Sequence, residues 1–262
     1  MLNPLIQKLQ HGAELTDQDR QVLEKVITEP RIVDPRQDLI NEGDQPENVH
    51  LILEGFACRY KLLPGGERQI MAYLVPGDLC DLHVSILGEM DHSIATLSRC
   101  KVVYIPRRAI EDITENHGRI NRALWWATLV DEAILREWLV NMGRRPADKQ
   151  LAHLLVELLV RLQAVGLATE NSYEFPVTQA ELADTLGIST VHVNRMLQQL
   201  RKDGLLTLRG NRLTITDVDG LKEFAEFNPN YLHFTRRRDR GTSGDGKIPR
   251  EMGNGDDRDA AQ

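Results

Sequence analysis

Hydrogen-bonding side chains cluster on one face of the segment between Ser189 and Leu200. The apolar residues of this segment recur at helical spacing and leave a polar, mostly uncharged face directed outward. That outward face consists of Thr190, Val191, His192, Asn194, Arg195 and Gln198. A merely solvated helix more often carries Glu/Lys pairs there, whereas reading base edges in a DNA major groove requires donors and acceptors near a helix N-terminus. The face therefore predicts contact with double-stranded DNA.

A tight corner joins this helix to the one before it. Thr178 and Glu181 have the Thr-x-x-Glu spacing of a capping box, Gly187 permits the turn, and Ser189 is a good N-cap for the second helix. We expect the first helix to bury Ala180, Leu182, Ala183 and Leu186, and the second to bury Val193, Met196, Leu197 and Leu200. Thr178 and Gln179, at the entry of this helix-turn-helix, and Ser189, at its corner, complete its predicted DNA contacts.

The next stretch separates this motif from an ordinary helical hairpin. Residues 205–216 alternate around Gly210-Asn211, a two-residue turn signal, and predict a β-hairpin. A hairpin directly after a helix-turn-helix makes a winged helix. Arg209 and Arg212 flank its tip, where we expect DNA phosphates.

Turn signals recur about every ten residues in the first half of the chain. They are Glu42-Gly43-Asp44, Glu54-Gly55, Pro64-Gly65-Gly66 and Pro76-Gly77-Asp78. This spacing predicts a small antiparallel β-barrel or jelly roll between Arg31 and Pro106, with a hairpin across Pro64-Gly65-Gly66.

A long helix is predicted from Arg119 to Asn141. Its apolar stripe is wider than a coiled-coil seam and indicates packing on its own barrel and on a partner chain. The predicted dimer contacts are Leu124, Ala127, Asp131, Ile134 and Trp138. For Asp131 two readings stay open, a solvated position at the edge of the stripe or a buried polar residue that sets dimer register. Gly143 is expected to close the helix, and Pro146 suits the first turn of the next.

Composition fits two domains, each with its own core, because the chain has 262 residues of which 41% are hydrophobic. No stretch reads as a membrane span or a signal peptide, so we expect a cytoplasmic protein with no membrane partner. The net charge is −7 in residues 1–140, +2 in 141–240 and −2 in 241–262. Any DNA-facing surface is therefore expected in the second half.

The ordered chain, about residues 15 to 225, resembles the Crp/Fnr family of bacterial transcription regulators, most specifically in "INEGD", "VPGD" and "TQAELADTLGISTVHVNRMLQQLRKDGLL". The resemblance implies an α+β chain with a cyclic-nucleotide-binding-like β-roll sensor (1–118), a dimerisation helix (119–142) and a winged helix-turn-helix (143–234). Residues 235–262 read as a disordered tail.

The resemblance also implies a homodimer on promoter or operator DNA, and contact with RNA polymerase if the protein activates. Arg195 matches the family's arginine that contacts a guanine. The Arg-Glu pair of cyclic-AMP receptors is replaced by Thr190 and Val191, so the half-site sequence stays open, as does activation or repression.

The effector pocket departs from that of cyclic-nucleotide-binding members. Their Gly-Glu pair falls here on Asp81-Leu82, and their Arg-Ser or Arg-Ala pair on His92-Ser93. An aspartate without the arginine would repel a phosphate, so cyclic nucleotide binding is not expected.

Other sensing chemistries are considered for the cysteines. Haem ligation by Cys80 and His83, with His92 nearby, stays open beside the plainer reading of a small buried Cys80 and a surface or interface His83. Thiol redox sensing by Cys58, Cys80 or Cys100 is also open. An iron–sulfur cluster needs four cysteines, whereas this chain has three and none before Cys58. No cofactor is assigned.

Two other classes of function, an enzyme and a sensor that does not act through DNA, fit the sequence less well than DNA binding does. The sequence shows no nucleophile–base constellation, phosphate loop or His-Glu-x-x-His motif, so we expect no enzyme. The other alternative is a β-roll ligand- or haem-binding sensor whose main output is not DNA binding. Arg195, Arg209 and Arg212 favour DNA over it.

Overall fold

The computed structural model describes residues 3–82 and 84–234, so the tail predicted at 235–262 and the side chain of His83 lie outside the described residues. The helices span Pro4–Leu9 (α1), Asp17–Val26 (α2), Val84–Leu87 (α3), Arg107–Asn116 (α4), Gly118–Arg144 (α5), Ala147–Ala164 (α6), Gln179–Leu186 (α7), Thr190–Lys202 (α8) and Val218–Phe224 (α9), with a 3-10 turn at Pro229–Leu232. The strands span Arg31–Val33 (β1), Asp38–Ile40 (β2), Asn48–Glu54 (β3), Ala57–Leu62 (β4), Arg68–Leu74 (β5), Ser93–Thr96 (β6), Cys100–Pro106 (β7), Ser172–Glu174 (β8), Leu206–Arg209 (β9) and Arg212–Ile215 (β10).

The predicted β-roll is confirmed. Its strands pair antiparallel in the orders β1-β7-β3 and β2-β6-β4-β5. The expected hairpin across Pro64-Gly65-Gly66 joins β4 to β5, with Leu62 opposite Arg68. The predicted wing is confirmed as β9 and β10, to which β8 adds a third strand. Among the described helices, none has both the length and the apolar composition needed to cross a bilayer.

Helix α5 is longer than predicted at both ends. Gly143, expected to close it, lies inside its last turn, and the chain leaves the helix at Arg145 with φ −81° and ψ 141°. The residue before a proline is pushed out of the α region, so Pro146 sets the stop rather than Gly143. Pro146 is then the N-cap of α6 rather than its first helical residue.

The residues predicted to contact a partner chain lie on the inner side of α5. Leu124, Ile134 and Trp138 are buried within the protomer, and Ala127 is half-buried. The Trp138 indole donates to Glu157 Oε2 at 3.2 Å, and its ring centroid lies 6.1 Å from that of Tyr73. The opposite side of α5 exposes Trp125, Leu129, Leu135, Leu139, Val140 and Met142. Helix α5 is therefore apolar on two sides. The apolar stripe predicted from the sequence is the side that packs on the roll of the same protomer and on α6.

Asp131 is partly buried and has charged partners within its own protomer, and a role in dimer register stays a prediction. Its carboxylate lies 3.3 Å from the guanidinium of Arg59 on β4 and 3.7 Å from the ammonium of Lys8 on α1. The side chain therefore joins α5 to the roll of the same protomer.

One buried cluster extends from the roll into the second half of the chain. Phe56, Ile70 and Tyr73 of the roll belong to the same buried cluster as Trp138 of α5 and Leu155 of α6. Two further buried clusters lie wholly in the first half, so that half has core of its own as well as the part it shares with the second half through α5 and α6. The division of the chain at residue 143 stays a prediction.

A buried carboxylate, Asp78 in the turn after β5, ties three segments together. It accepts from Lys8 Nζ at 2.6 Å, from Arg161 Nη2 of α6 at 2.8 Å and from the amide of Val75 at 2.8 Å. Burial alone would raise the pKa of Asp78, but the charges of Lys8 and Arg161 outweigh it and lower the pKa. The Arg161 guanidinium also reaches Glu157 Oε1 at 3.3 Å, so the ion pairs continue along α6.

We predict that Asp78→Asn lowers the free energy of unfolding at pH 7 by about 3 kcal/mol, because it leaves two buried cations without their shared anion. The folded-state pKa is lowered, so the wild-type advantage is present above the ordinary value of 3.8 and shrinks as pH falls through the folded value. Urea unfolding at pH 7 and at about pH 3 measures this. Asp38→Asn, at an exposed carboxylate bonded to Tyr60, is the control. A difference between wild type and Asp78→Asn that does not change with pH would contradict the assignment.

Candidate nucleic-acid interface

The first helix of the predicted motif begins at its expected cap. Thr178 Oγ1 accepts from the amide of Glu181 at 3.2 Å, and Glu181 Oε2 accepts from the amide of Thr178 at 2.7 Å. The capping box read from the sequence is confirmed, and it satisfies two backbone donors that α7 would otherwise leave free.

The corner between the helices is also confirmed. Gly187 ends α7 with φ 65° and ψ 34°, the left-handed region in which a side chain would be strained. Ile188 donates its amide to Ala183 O at 3.2 Å, which satisfies a carbonyl of the last turn. Ser189 Oγ then accepts from the amide of His192 at 3.3 Å and caps α8.

The buried faces are confirmed for α8 but only in part for α7. Val193, Met196, Leu197 and Leu200 are buried. In α7, Leu182 and Ala183 are buried and Leu186 is half-buried, but Ala180 is exposed, so its assignment to the core is wrong. Glu181 and Thr185 are buried instead. The capping bonds fix Glu181, and Thr185 faces the roll, which the local sequence pattern does not show.

The outward residues of α8 form one accessible surface with the start of α7. Thr190, Val191, His192, Arg195 and Gln198 are exposed. Asn194 is half-buried because its amide donates to Gln179 Oε1 at 3.1 Å, which joins the two helices across the corner. Within the described part of the chain, the Arg195 guanidinium makes no ion pair, so its fixed donors are available to a ligand.

The wing places two cations beside its tip. Arg209 and Arg212 are opposite each other in the β9–β10 register, flanking Gly210-Asn211, and both are exposed. Arg201 and Lys202, in the last turn of α8, are exposed as well. A neutral, hydrogen-bonding helix N-terminus beside exposed cations can read base edges and bind phosphates at once.

Two family models match the chain. The Crp-like helix-turn-helix domain matches residues 149–224, and the cyclic nucleotide-binding domain matches residues 30–117. The chain is 27% identical over 195 residues to the transcriptional activator protein FnrL of Cereibacter sphaeroides, covering 72% of this chain and 77% of FnrL. The nitrogen fixation regulation protein FixK of Bradyrhizobium diazoefficiens is 25% identical over 181 residues, 69% of this chain and 75% of FixK. The fold is similar to that of FixK2 from Bradyrhizobium japonicum, with a TM-score of 0.68 and 23% identity over 75% of this chain and 96% of FixK2.

The chain belongs to the Crp/Fnr family of transcription regulators. The winged helix-turn-helix is therefore the DNA-binding part of a Crp/Fnr-type regulator, as the sequence predicted. The matched cyclic nucleotide-binding domain is the β-roll.

Two of the residues predicted for the effector pocket of this Crp/Fnr regulator, Cys80 and Asp81, are fully buried in the roll, and the side chain of His83 lies outside the described residues. Cys80 is buried in the roll core, and Asp81 accepts from the amide and from Nδ1 of His50 at 2.7 and 2.8 Å. Asp81 is therefore held inside the roll by His50, and repulsion of a phosphate by its carboxylate stays a prediction. Ser93 accepts from the amide of Glu42 at 2.9 Å. The expectation of no cyclic nucleotide stays a prediction.

A cavity of about 400 Å³ lies between the roll and α5. His92 lines it, and the charged residues of its wall are ones that were not assigned to a pocket from the sequence: Lys8, Arg59, Asp91, Asp131 and Glu132. Burial lowers the pKa of His92, against the opposing effect of Asp91, so the imidazole is neutral at pH 7. No local sequence pattern could assign these residues to one cavity, because they come together only where β4 meets α1 and α5.

The three cysteines are all buried. Burial raises the pKa of Cys58 to about 12 and that of Cys100 to about 11, and it raises the pKa of Cys80 well above its ordinary value. A thiol that stays protonated is a poor nucleophile and a poor metal ligand. The structure therefore gives the thiol-sensing and haem alternatives no support at these side chains.

We predict that Gly187→Ala costs about 1–2 kcal/mol of unfolding free energy, because alanine is strained in the left-handed region. Nothing lies within 4 Å of the added methyl group, so the decrease would report backbone strain alone. Gly143→Ala is the matched control. Its methyl group also meets open space, but the position is helical, and the substitution should stabilise by about 0.5 kcal/mol. If urea unfolding gives the two variants the same change, the corner is not strained as described.

Proposed function

We propose that this Crp/Fnr regulator acts as a homodimer in which the two α8 helices read two half-sites in successive major grooves. The observation that carries the proposal is the exposed polar face of α8, in which Arg195 has no competing carboxylate among the described residues. His192, Asn194, Arg195 and Gln198 would face bases, with Val191 against a thymine methyl group. Thr178, Gln179, Ser189, Thr190, Arg209 and Arg212 would bind the phosphates.

The exposed side of α5 supports the dimer. Leu139 is 69% exposed and Trp125 58%, and they belong to one side of the helix with Leu129, Leu135 and Met142. Glu132 and Arg136 form an ion pair on the same side, 2.8 Å between Nη1 and Oε1. So much apolar surface on one helix is unusual for a monomer and is suited to a second copy of α5. We propose this side, rather than the inner stripe, as the dimer contact.

The partners follow from that role. We propose promoter or operator DNA in the cytoplasm as the ligand and regulation without catalysis as the activity. FnrL is named a transcriptional activator, and by that likeness RNA polymerase is the proposed protein partner.

The cavity favours a second, compatible role as a small-molecule sensor. Its volume suits a small ligand, but Arg59 and Lys8 are already paired with Asp131 and Asp78. A ligand there would have to displace an internal carboxylate, so an uncharged molecule fits this wall better than a phosphate.

We predict that Arg195→Ala relaxes sequence preference at one base pair of each half-site and weakens operator binding by roughly 1–3 kcal/mol per half-site. A guanidinium can bond O6 and N7 of one guanine together, and alanine removes both bonds. Binding curves on duplexes selected from a random pool by the wild-type protein, and on scrambled duplexes, measure this. Equal decreases in affinity on both would make Arg195 a phosphate contact and shift base reading to His192, Asn194 and Gln198.

We predict that Arg209→Ala and Arg212→Ala instead weaken binding to all duplexes about equally and reduce the salt slope by about one unit for each phosphate that is no longer bound. A phosphate contact carries no sequence information but releases counterions. The measurement is the affinity at several salt concentrations, with Arg99→Ala at a surface site of the roll as the control. An unchanged salt slope would remove the wing from the interface.

We predict that Leu139→Glu turns the dimer into a monomer, because it buries an unpaired charge at an apolar contact. Sedimentation at micromolar concentration measures the dimer, and thermal unfolding confirms that the protomer stays folded. Leu62→Glu is the matched control, because Leu62 is 63% exposed at the β4–β5 hairpin and far from α5 in sequence. Trp138→Glu is expected to unfold the protomer instead. A Leu139→Glu protein that stays dimeric would contradict the proposed surface.

A further inference from the structure

The first helix of the helix-turn-helix is held by the β-roll as well as by α8. Helix α7 packs against β5 and is bonded to it through Asp184 and Thr185, in the last turn of the helix. The hydrogen bonds between them join residues that are 112 to 116 positions apart in the chain. The attachment is therefore a tertiary feature and not a by-product of the local fold.

Three side chains of β5 hold two residues of α7. Arg68 Nε donates to Asp184 Oδ2 at 2.7 Å, and both side chains are about one-third exposed. Gln69 Nε2 donates to the carbonyl of Thr185 at 3.0 Å. The Tyr73 hydroxyl lies 2.6 Å from Thr185 Oγ1 in a buried position. We call these three interactions the β5 clamp.

The hydroxyl bond in the clamp has a definite direction. Thr185 Oγ1 donates its single hydrogen to the carbonyl of Glu181 at 2.8 Å, so it accepts the hydrogen of Tyr73. Burial raises the pKa of Tyr73, so the phenol keeps that hydrogen. The bond therefore attaches α7 to the roll at a buried position.

A second connection holds α6 on the roll. Arg161 donates to the carbonyl of Tyr73 at 2.9 Å and to Asp78 at 2.8 Å. The two helices that support α8 are thus attached to the same strand and to its following turn. The recognition surface has a defined orientation relative to the roll and to α5.

We propose, on the basis of the dimeric DNA reading above, that the β5 clamp sets the half-site spacing that the dimer accepts, with Arg68 and Tyr73 as positioning residues. One added base pair between half-sites rotates the second by about 35° and moves it about 3.4 Å. A clamped pair of helix-turn-helix units cannot follow that change, whereas units joined to the dimer only through the α5–α6 connection at Arg145 and Pro146 can.

The placement of the clamp favours positioning over inhibition. Gln179, His192 and Arg195 are exposed while the clamp is closed. The roll therefore leaves the recognition surface accessible. Breaking the β5 clamp would expose no additional DNA-binding residue on this surface. Removal of the clamp should reduce spacing selectivity and not activate the protein.

The test compares duplexes selected from a random pool by the wild-type protein with the same duplexes carrying one extra base pair between half-sites. We expect the wild type to bind the native spacing at least tenfold more tightly, because the changed spacing breaks the bonds to one half-site. The double variant Arg68→Gln/Tyr73→Phe should lower that ratio about fivefold, the size expected from a partly exposed ion pair and one buried hydrogen bond.

Matched controls remove similar interactions from the neighbouring strand. Lys61→Gln breaks an ion pair with Glu42 at 2.9 Å, and Tyr60→Phe removes a hydroxyl bond to Asp38 at 2.9 Å. Both bonds lie within the roll, and both variants should keep the wild-type ratio. If the double variant does not fold, Asp184→Asn tests the ion pair from the side of α7, with a smaller decrease of the ratio in the same direction.

Each result decides between the two proposals. A wild-type preference that the double variant lowers about fivefold, at unchanged dimer content, supports the clamp. A wild-type preference that the clamp variants keep overturns the clamp and leaves the dimeric reading intact. A wild type with no spacing preference overturns the reading of two half-sites, and the clamp proposal falls with it.

Discussion

The carboxylate of Asp78 is buried where three segments of the chain meet. It receives Lys8 of α1, Arg161 of α6 and the backbone of its own turn, and it is 2% exposed. Two buried cations on one anion are stable only while all three charges remain, so the arrangement fixes α6 on the roll. The wider set of ion pairs continues through Lys8 to Asp131 and through Arg161 to Glu157.

The orientation of the DNA-binding half depends on these ion pairs, because its helices pack on α6. Leu155 and Leu158 of α6 lie in the same core as Val193 of α8 and as Tyr73 of the roll. The recognition helix therefore has an orientation set by buried side chains, while its outward side is free for DNA. The inward side of α8 packs in the core, and the outward side is available to bind DNA.

The local features of the site could be predicted from the sequence, because each depends on residues a few positions apart. The Thr178–Glu181 box, the left-handed Gly187 and the Gly210-Asn211 turn all lie where the pattern predicts them. Residue types alone determine such caps and turns. The resemblance to Crp/Fnr regulators supplies the order of the parts, and the fold agrees with it.

Apart from the end of α5, which Pro146 sets locally rather than Gly143, the wrong predictions depend on contacts between distant segments. Helix α5 is apolar on two sides, and periodicity cannot tell which side meets its own roll, so it assigns Trp138 to a partner. Counting from Gly77 places Asp81 in a pocket, but His50, 31 positions earlier, takes its carboxylate. Ala180 is apolar and so fits a core pattern, whereas Thr185 does not, because its partner Tyr73 lies in another part of the fold.

The measurement that tests the account most directly is guanine-N7 methylation interference on a duplex selected by the full-length protein. Methylation of N7 blocks the bidentate guanidinium bond that the account assigns to Arg195. The account predicts interference at two guanines related by a dyad, one in each half-site, with half-site centres about one helical turn or a multiple of it apart. Interference at a single guanine, or at none on a duplex that is tightly bound, would contradict it.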